Sequence, residues 1–214
     1  MNLLAIDRST DVQSVALVTG SNIFRLVPED ADARGADWPV RISDFLARHN
    51  CRMVDLDRIV VGMGPGSFAG IRGALAFVQG LAIGIKAKRP DLADKSIVYG
   101  LPSAATLALD NKLTAVVGDA RRGLFWVVVY DGAATVSDFR LVQKEELSSS
   151  IPETAVIATS DGIRIGETLK DLFGERYIGS MPPSAEAMAK IAFMHPEVLV
   201  REPLPVYLSP AVRT

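Results

Sequence analysis

Residues 62–72 read GMGPGSFAGIR, with Gly62, Gly64, Pro65 and Gly66 leading into a helical pattern. Loops of this kind hold phosphate when backbone N–H groups face it and a lysine neutralises its charge. Here Ser67 and Phe68 follow Gly66, and the nearest helical cation is Arg72, so a P-loop is not spelled out. Gly64-x-Gly66-x-x-Ala69 meets the permissive dinucleotide fingerprint, but KAKRPDLADK (86–95) stands where that fold needs an acidic strand end. A serine-hydrolase elbow needs G-x-S-x-G, whereas Gly66 directly precedes Ser67 and Ala69 takes the second glycine's place. Ser67 reads better as a helix N-cap. His49 and His195 are the only histidines, far apart in the chain, so neither a triad base nor a histidine-spaced metal site is written. Asp7 and Asp119 remain: each closes a β-rich run, where it can help hold a metal-bound nucleotide or serve as an ordinary strand-end residue.

The elements that carry these residues are written twice. LLAID (3–7), SVALV (14–18) and NIFRLV (22–27) read as three successive strands with turn residues between them. A polar stretch, PEDADARGAD, precedes a helical pattern over about 38–49 with Val40, Ile42, Phe45 and Leu46 on its apolar side. IVVG (59–62) reads as a strand buried on both faces, followed by the helix at 67–86 and by IVYG (97–100). The order then recurs as AVVGD (115–119), LFWVVVYD (124–131), ATVSDFRLV (134–142), a short helix at 144–149 and the strand AVIATSDG (155–162). RIGETLKDLF (164–173) is helical, and a further helix begins near Ser184. Asp7 matches Asp119, and Gly64 matches Gly162. A duplication follows, with halves 1–101 and 102–214, and Pro102 with Ser103 starting a helix at the boundary. Each half is expected to be a mixed sheet flanked by helices, giving an α/β fold. The tail, about 196–214, has too many prolines for an ordinary helix and can pack back on the N-terminal half as an extended segment.

Composition narrows the function. Apolar residues make up 49% of the 214, and only 22% are charged, a surplus that fits a large α/β core or a face buried against a partner. A net charge of −2 gives no bulk electrostatic reason for tight nucleic-acid binding. Cys51 is alone, so no internal disulfide can form, and the start MNLLAIDRST lacks a signal peptide's basic region. Arg72 and Gln79 interrupt the most membrane-like stretch. The expectation is a soluble, cytoplasmic protein without metal or membrane.

The helix at 67–86 divides into three stripes. Arg72, Gln79 and Lys86 form a narrow polar line, while Ile71, Leu75, Val78, Ala82 and Ile85 form an apolar face suited to the sheet. Gly70, Gly73, Phe77, Gly80 and Gly84 form a second face, mostly glycine. Each interior glycine costs about 1 kcal/mol relative to alanine. Glycine there admits another backbone closely, as small-x-x-x-small spacing does between packed helices. Phe68, Gly70, Gly73, Phe77, Gly80 and Gly84 are therefore expected to meet a partner.

GPGSFAGIR, preceded by LDRIVVGMG, closely resembles the GPGSFTG-(V/I/L)-R segment of the bacterial tRNA threonylcarbamoyladenosine biosynthesis protein TsaB (YeaZ) family. LLAIDRSTDVQSVAL, VVGDARRGLFWVVVY and PVYLSPAV resemble that family's opening strand pair, the start of its second half and its tail. The resemblance implies an actin-like, duplicated fold of the ASKHA (RNase H-like) class. It implies a non-catalytic paralogue of the catalytic subunit TsaD (Kae1/Gcp, glycoprotease-like) that supports transfer of threonylcarbamoyl to a tRNA adenosine. It also implies pairing with TsaD and the ATPase TsaE, a homodimer in isolation, tRNA met only through the complex, and ATP, if any, only at an interface with partners. In the family the dimer contact is made by the two helices that correspond here to about 38–49 and 67–86. Active relatives cradle phosphate in the hairpin that holds Asp7 and Arg8, with Asp119 in the second half. Arg8 replaces the family's small Thr there, and its bulk is expected to fill the site. Ala69 replaces the Thr of GPGSFTG, KAKRPDLADK is inserted, and ADWPVRISDFL lacks the usual His-Ser start of the first helix. Two other readings compete: an ATP-dependent ASKHA enzyme or glycoprotease-like hydrolase using Asp7 and Asp119, and a stand-alone homodimeric binding protein.

Overall fold

The computed structural model describes residues 1–26 and 37–208. The polar stretch before the first helix, except Asp37, Val27 of the third strand and the last residues of the tail lie outside the described residues. Two compact units share the chain: Met1–Ser103 with Ser184–Pro205, and Ala104–Pro183 with the described residues from Val206.

In the first unit, β1 (Asn2–Asp7), β2 (Ser14–Thr19) and β3 (Asn22–Leu26) form an antiparallel meander. Helix α1 (Trp38–Arg48) leads to β4 (Arg58–Gly62), helix α2 (Phe68–Lys88) and β5 (Val98–Leu101), and β4 and β5 join parallel to β1. In the second unit, β6 (Leu113–Arg121), β7 (Leu124–Asp131) and β8 (Ala134–Gln143) repeat the meander. β9 (Val156–Thr159), helix α3 (Gly162–Phe173) and β10 (Tyr177–Ser180) then repeat the parallel part. Helix α4 (Ala185–Met194) and β11 (Val200–Arg201) follow. The sheets run β11-β5-β4-β1-β2-β3 and β10-β9-β6-β7-β8, so apart from β11 they have one order. That is the duplicated α/β architecture read from the sequence.

Alternation along the strands explains the layers. Leu4 and Ile6 of β1, Val15 and Leu17 of β2 and Ile59 and Val61 of β4 cluster with Ile42, Phe45 and Leu46 of α1 and Ile71, Leu75, Val78 and Ile85 of α2. The intervening Leu3, Ala5, Ala16, Val18 and Val60 are also buried. They lie on the other face, where α4 packs on β1, β2 and β4 through Ala185, Met188, Ala189 and Ala192. Arg25–Glu186 (3.2 Å) and Ala185 N–H to Ser14 Oγ (2.9 Å) tie α4 there. The helix expected near Ser184 thus serves the first sheet, and Ser184 Oγ accepts from Ala187 N–H as its N-cap.

The helix starts and ends differ from the sequence reading in a few places. The helix expected at 144–149 shrinks to a 3-10 turn over Lys144–Glu146, and the one expected at Ser103 is the 3-10 stretch Ser103–Leu107. β10 was unread because its four residues, YIGS, carry little apolar pattern. Within the described residues one helix, α2, is long and apolar enough to cross a membrane, and one of its faces is packed into the sheet.

Candidate functional site

Asp7 ends β1 in a sealed setting. Its carboxyl is fully buried, and Oδ1 accepts from Ser9 N–H (2.8 Å) and Ser9 Oγ (2.6 Å). Gly62 on β4 leaves the room, since any side chain there would strike Asp7 Oδ2. Burial raises the Asp7 pKa against the opposing pull of hydrogen bonds from Ser103 and Ser9. Ser103 Oγ in turn accepts from Gly64 N–H (3.0 Å) and stitches β5's end to the glycine loop.

The loop is filled by its own chain. Gly66 (φ +156°) lies against Ser9 O, and Ser67 N–H donates to that same carbonyl at 2.6 Å. Gly70, in the first turn of α2, lies against Arg8 O, where a Cβ would clash with backbone. Ser67 Oγ accepts from Gly70 N–H (3.3 Å), which makes it the N-cap the sequence indicated. The N–H groups of Ser67 and Gly70 therefore have partners, and the first hairpin packs directly against the loop.

Arg8 points away from Asp7. Neighbouring residues on a strand end point to opposite faces, and Arg8 turns toward the helices. Its guanidinium stacks 4.5 Å over the Trp38 ring, with one terminal nitrogen 3.7 Å from where a Gly73 Cβ would stand. Trp38 in turn packs on Phe77 of α2, with ring centroids 4.5 Å apart.

Asp119 repeats Asp7's local pattern on more open ground. Its Oδ1 accepts from Arg121 N–H (2.7 Å), as Asp7 accepts from Ser9. Its Oδ2 pairs with Arg164 Nε of α3 (3.1 Å) and with Arg121 (3.4 Å). Arg164 also grips Asp161 (2.6 Å), whose Oδ2 accepts from Asp119 N–H (3.0 Å). Arg122 and Gly123, both at positive φ, form the two-residue turn of the β6–β7 hairpin, beside Arg121 (φ 70°) and a register slip that leaves Ala120 unpaired. The Asp161–Arg164 partnership escaped the sequence reading, although an acid and an arginine three apart at a helix start were there to be seen. Among the described residues no three His, Cys, Asp or Glu side chains gather in a metal-binding group.

The six residues expected at a partner divide in two. Gly70 is spaced for its own hairpin, while Phe77 and Gly73 lie half-buried beside Trp38 and Arg8. Gly80 and Gly84 have nothing within 4 Å of where a side chain would begin. Between them Ile83 is 72% exposed, and Phe68 at the helix start is 58% exposed beneath the Arg72 guanidinium. Ile83 was missed because the glycine stripe drew attention one residue away. Among the described residues, Gly80, Ile83 and Gly84 leave an apolar patch uncovered on the C-terminal half of α2.

Comparison with known proteins agrees with this architecture. A family model described as "TsaD: tRNA N6-adenosine threonylcarbamoyltransferase" matches residues 26–139, more than half the chain. The tRNA threonylcarbamoyladenosine biosynthesis protein TsaB of Escherichia coli K12 is 34% identical over 87 residues, 39% of this chain and 36% of that protein. An uncharacterised Mycobacterium tuberculosis H37Rv protein is 33% identical over 141 residues, 63% of this chain and 62% of its own. The matches thus span less than two thirds of these relatives' lengths. YeaZ from Pseudomonas aeruginosa has the same fold, with a TM-score of 0.74 at 22% identity over 96% of this chain and all of that one. A P. aeruginosa protein with similarity to peptidase YeaZ also scores 0.74, at 24% identity, over 97% of this chain and 99% of its own. The family model that matches more than half of it places this chain in the family described as "TsaD: tRNA N6-adenosine threonylcarbamoyltransferase", and its repeated sheet order is the fold it shares with YeaZ.

Proposed function

We propose that this chain acts in tRNA threonylcarbamoyladenosine formation as a non-catalytic dimerisation subunit, which pairs through α2 with a TsaD-like catalytic chain and works with a TsaE-like ATPase. The bare ridge of Gly80, Ile83 and Gly84 carries the reading, because it leaves an apolar helix face without a cover. The two strand-end acids support it from the other side. Asp7 is buried with its Oδ1 taken by Ser9, and Asp119 is held by two arginines, arrangements that favour a structural role for both acids. The hairpin backbone packed against Gly66 and Gly70 supports reading the loop as a strand-to-helix turn.

Gly80→Leu tests the reading. In a packed core such a residue would cost about 1–3 kcal/mol of stability, but here the added side chain meets open space. The expected result is an unchanged or slightly raised melting temperature, a shift toward monomer in light scattering and weaker capture of the TsaD-like chain. A variant that melts much earlier yet associates normally would refute it.

A further inference from the structure

The second unit holds a cavity remote in sequence from both strand-end acids. It opens between β8 and the loop at 149–153 and has a volume of about 420 Å³, within the range of small-molecule sites. Two irregularities in β8 shape it. Val127 pairs with Arg140 and Val129 with Ser137, so β8 uses one residue more than β7 over that step. Tyr130 then pairs with Thr135, which leaves Val136 as a second extra residue. Bulges re-aim side chains. Here Val136, Ser137 and Arg140 all line the cavity, although strict alternation would send Ser137 to the other face. Ser137 Oγ accepts from Val129 N–H (3.2 Å) in place of a ladder carbonyl, which leaves its own O–H able to donate.

The facing wall is held in place by two guanidiniums. Arg140 donates to Ser150 O, and Arg176, in the 3-10 turn Gly174–Arg176, donates to Pro152 O (3.0 Å), Glu153 O (2.8 Å) and Ala155 O (3.3 Å). A wall fixed in this way loses little freedom when a ligand enters. Val129 and Ile151, both buried, give the cavity an apolar floor beside Val136 and Pro152. Arg140 and Glu153 line the same space yet form no ion pair with each other. A cation and an anion that share a cavity without neutralising one another present both signs to whatever enters it.

We propose that this cavity binds a small zwitterion of the α-amino-acid class, with its carboxylate on Arg140, its ammonium on Glu153 and its apolar side chain against Val136, Ile151 and Pro152. A lone anion or cation would meet one matching charge and one opposing charge. The site lies wholly in the second unit, so it neither needs nor tests the pairing through α2.

A titration of the full chain near neutral pH, followed by its backbone amide resonances, tests the site with L-valine as the probe. N-acetyl-L-valine lacks the ammonium, and L-valinamide lacks the carboxylate. Valine is expected to shift the amides of β8 and of the loop saturably, and each blocked form to bind about threefold to fivefold more weakly. Glu153→Gln is expected to erase valine's advantage over its N-acetyl form. Val136→Trp, at a position 57% exposed, is expected to fill the cavity and abolish binding. Both variants are expected to melt as the wild type does, and if Val136→Trp melts early, Glu153→Gln decides alone. Equal binding of valine and N-acetylvaline by the wild type would show a site for anions and overturn the zwitterion. Binding retained unchanged by both variants would place the ligand elsewhere and overturn the site. No saturable shift up to about 50 mM would do the same, leaving the bulges only to guard an edge strand from pairing.

Discussion

Asp7 holds an ionisable carboxyl where water does not reach. Its folded-state pKa lies above the ordinary 3.8, so the folded protein takes up a proton more readily than the unfolded chain. The stability linked to this group is fully present below the unfolded pKa and is lost as pH rises through the folded one. Asp7→Asn removes that titration while keeping an oxygen for Ser9. The melting-temperature difference between the two proteins is expected to move in the wild type's favour as pH falls from about 7 toward about 4. A constant difference, or one moving the other way, would contradict the assignment. The sequence showed Asp7 as a strand-end acid and a possible nucleotide ligand, and it could not show more. The sealing residues, Gly62 and Ser103, come from β4 and the end of β5, and nothing in their spacing points to Asp7. The direction of Arg8 was hidden for a related reason. Its side-chain direction depends on Trp38, whose ring becomes a platform only when α1 docks beside α2.

At the scale of the element, α2 separates two uses of glycine that look alike in sequence. Gly70 is spaced for the hairpin carbonyl of Arg8, whereas Gly80 faces empty space. Gly80→Ala is therefore expected to stabilise the lone subunit by about 1 kcal/mol through helix propensity. Gly70→Ala should destabilise it, because backbone must move to admit the methyl group. Thermal melts of the two variants check the pair, and equal shifts in one direction would refute the distinction. The buried face of this helix was largely legible, since Ile71, Leu75, Val78 and Ile85 recur at helical spacing and are buried, although Ala82 is only half-buried and the buried Ala74 was not read. The division of the opposite face was not. The periodicity of one helix says which residues share a stripe, but it does not say which neighbour arrives along it.

For the whole molecule, the repeated order of strands was visible because both halves write a meander and then a buried strand and helix in the same order. With net charge −2 and both strand-end acids engaged, the lone protein is expected to hydrolyse no Mg-ATP above background. It should bind tRNA only weakly and with steep salt dependence. Turnover that disappears in Asp7→Ala, or submicromolar tRNA affinity at physiological salt, would count against the subunit reading. The helix that begins after Ser184 has a further meaning for how the chain is made. The first sheet needs α4 over one face, and α4 lies more than eighty residues beyond β5 in the chain. During synthesis the opening 103 residues therefore emerge as a sheet with one apolar side uncovered, while nearly all of the second unit is drawn from the continuous run Ala104–Pro183. Domains usually complete in the order they leave the ribosome. Here the later unit can close first, and the earlier one waits with its face exposed until α4 is made and brings its cover.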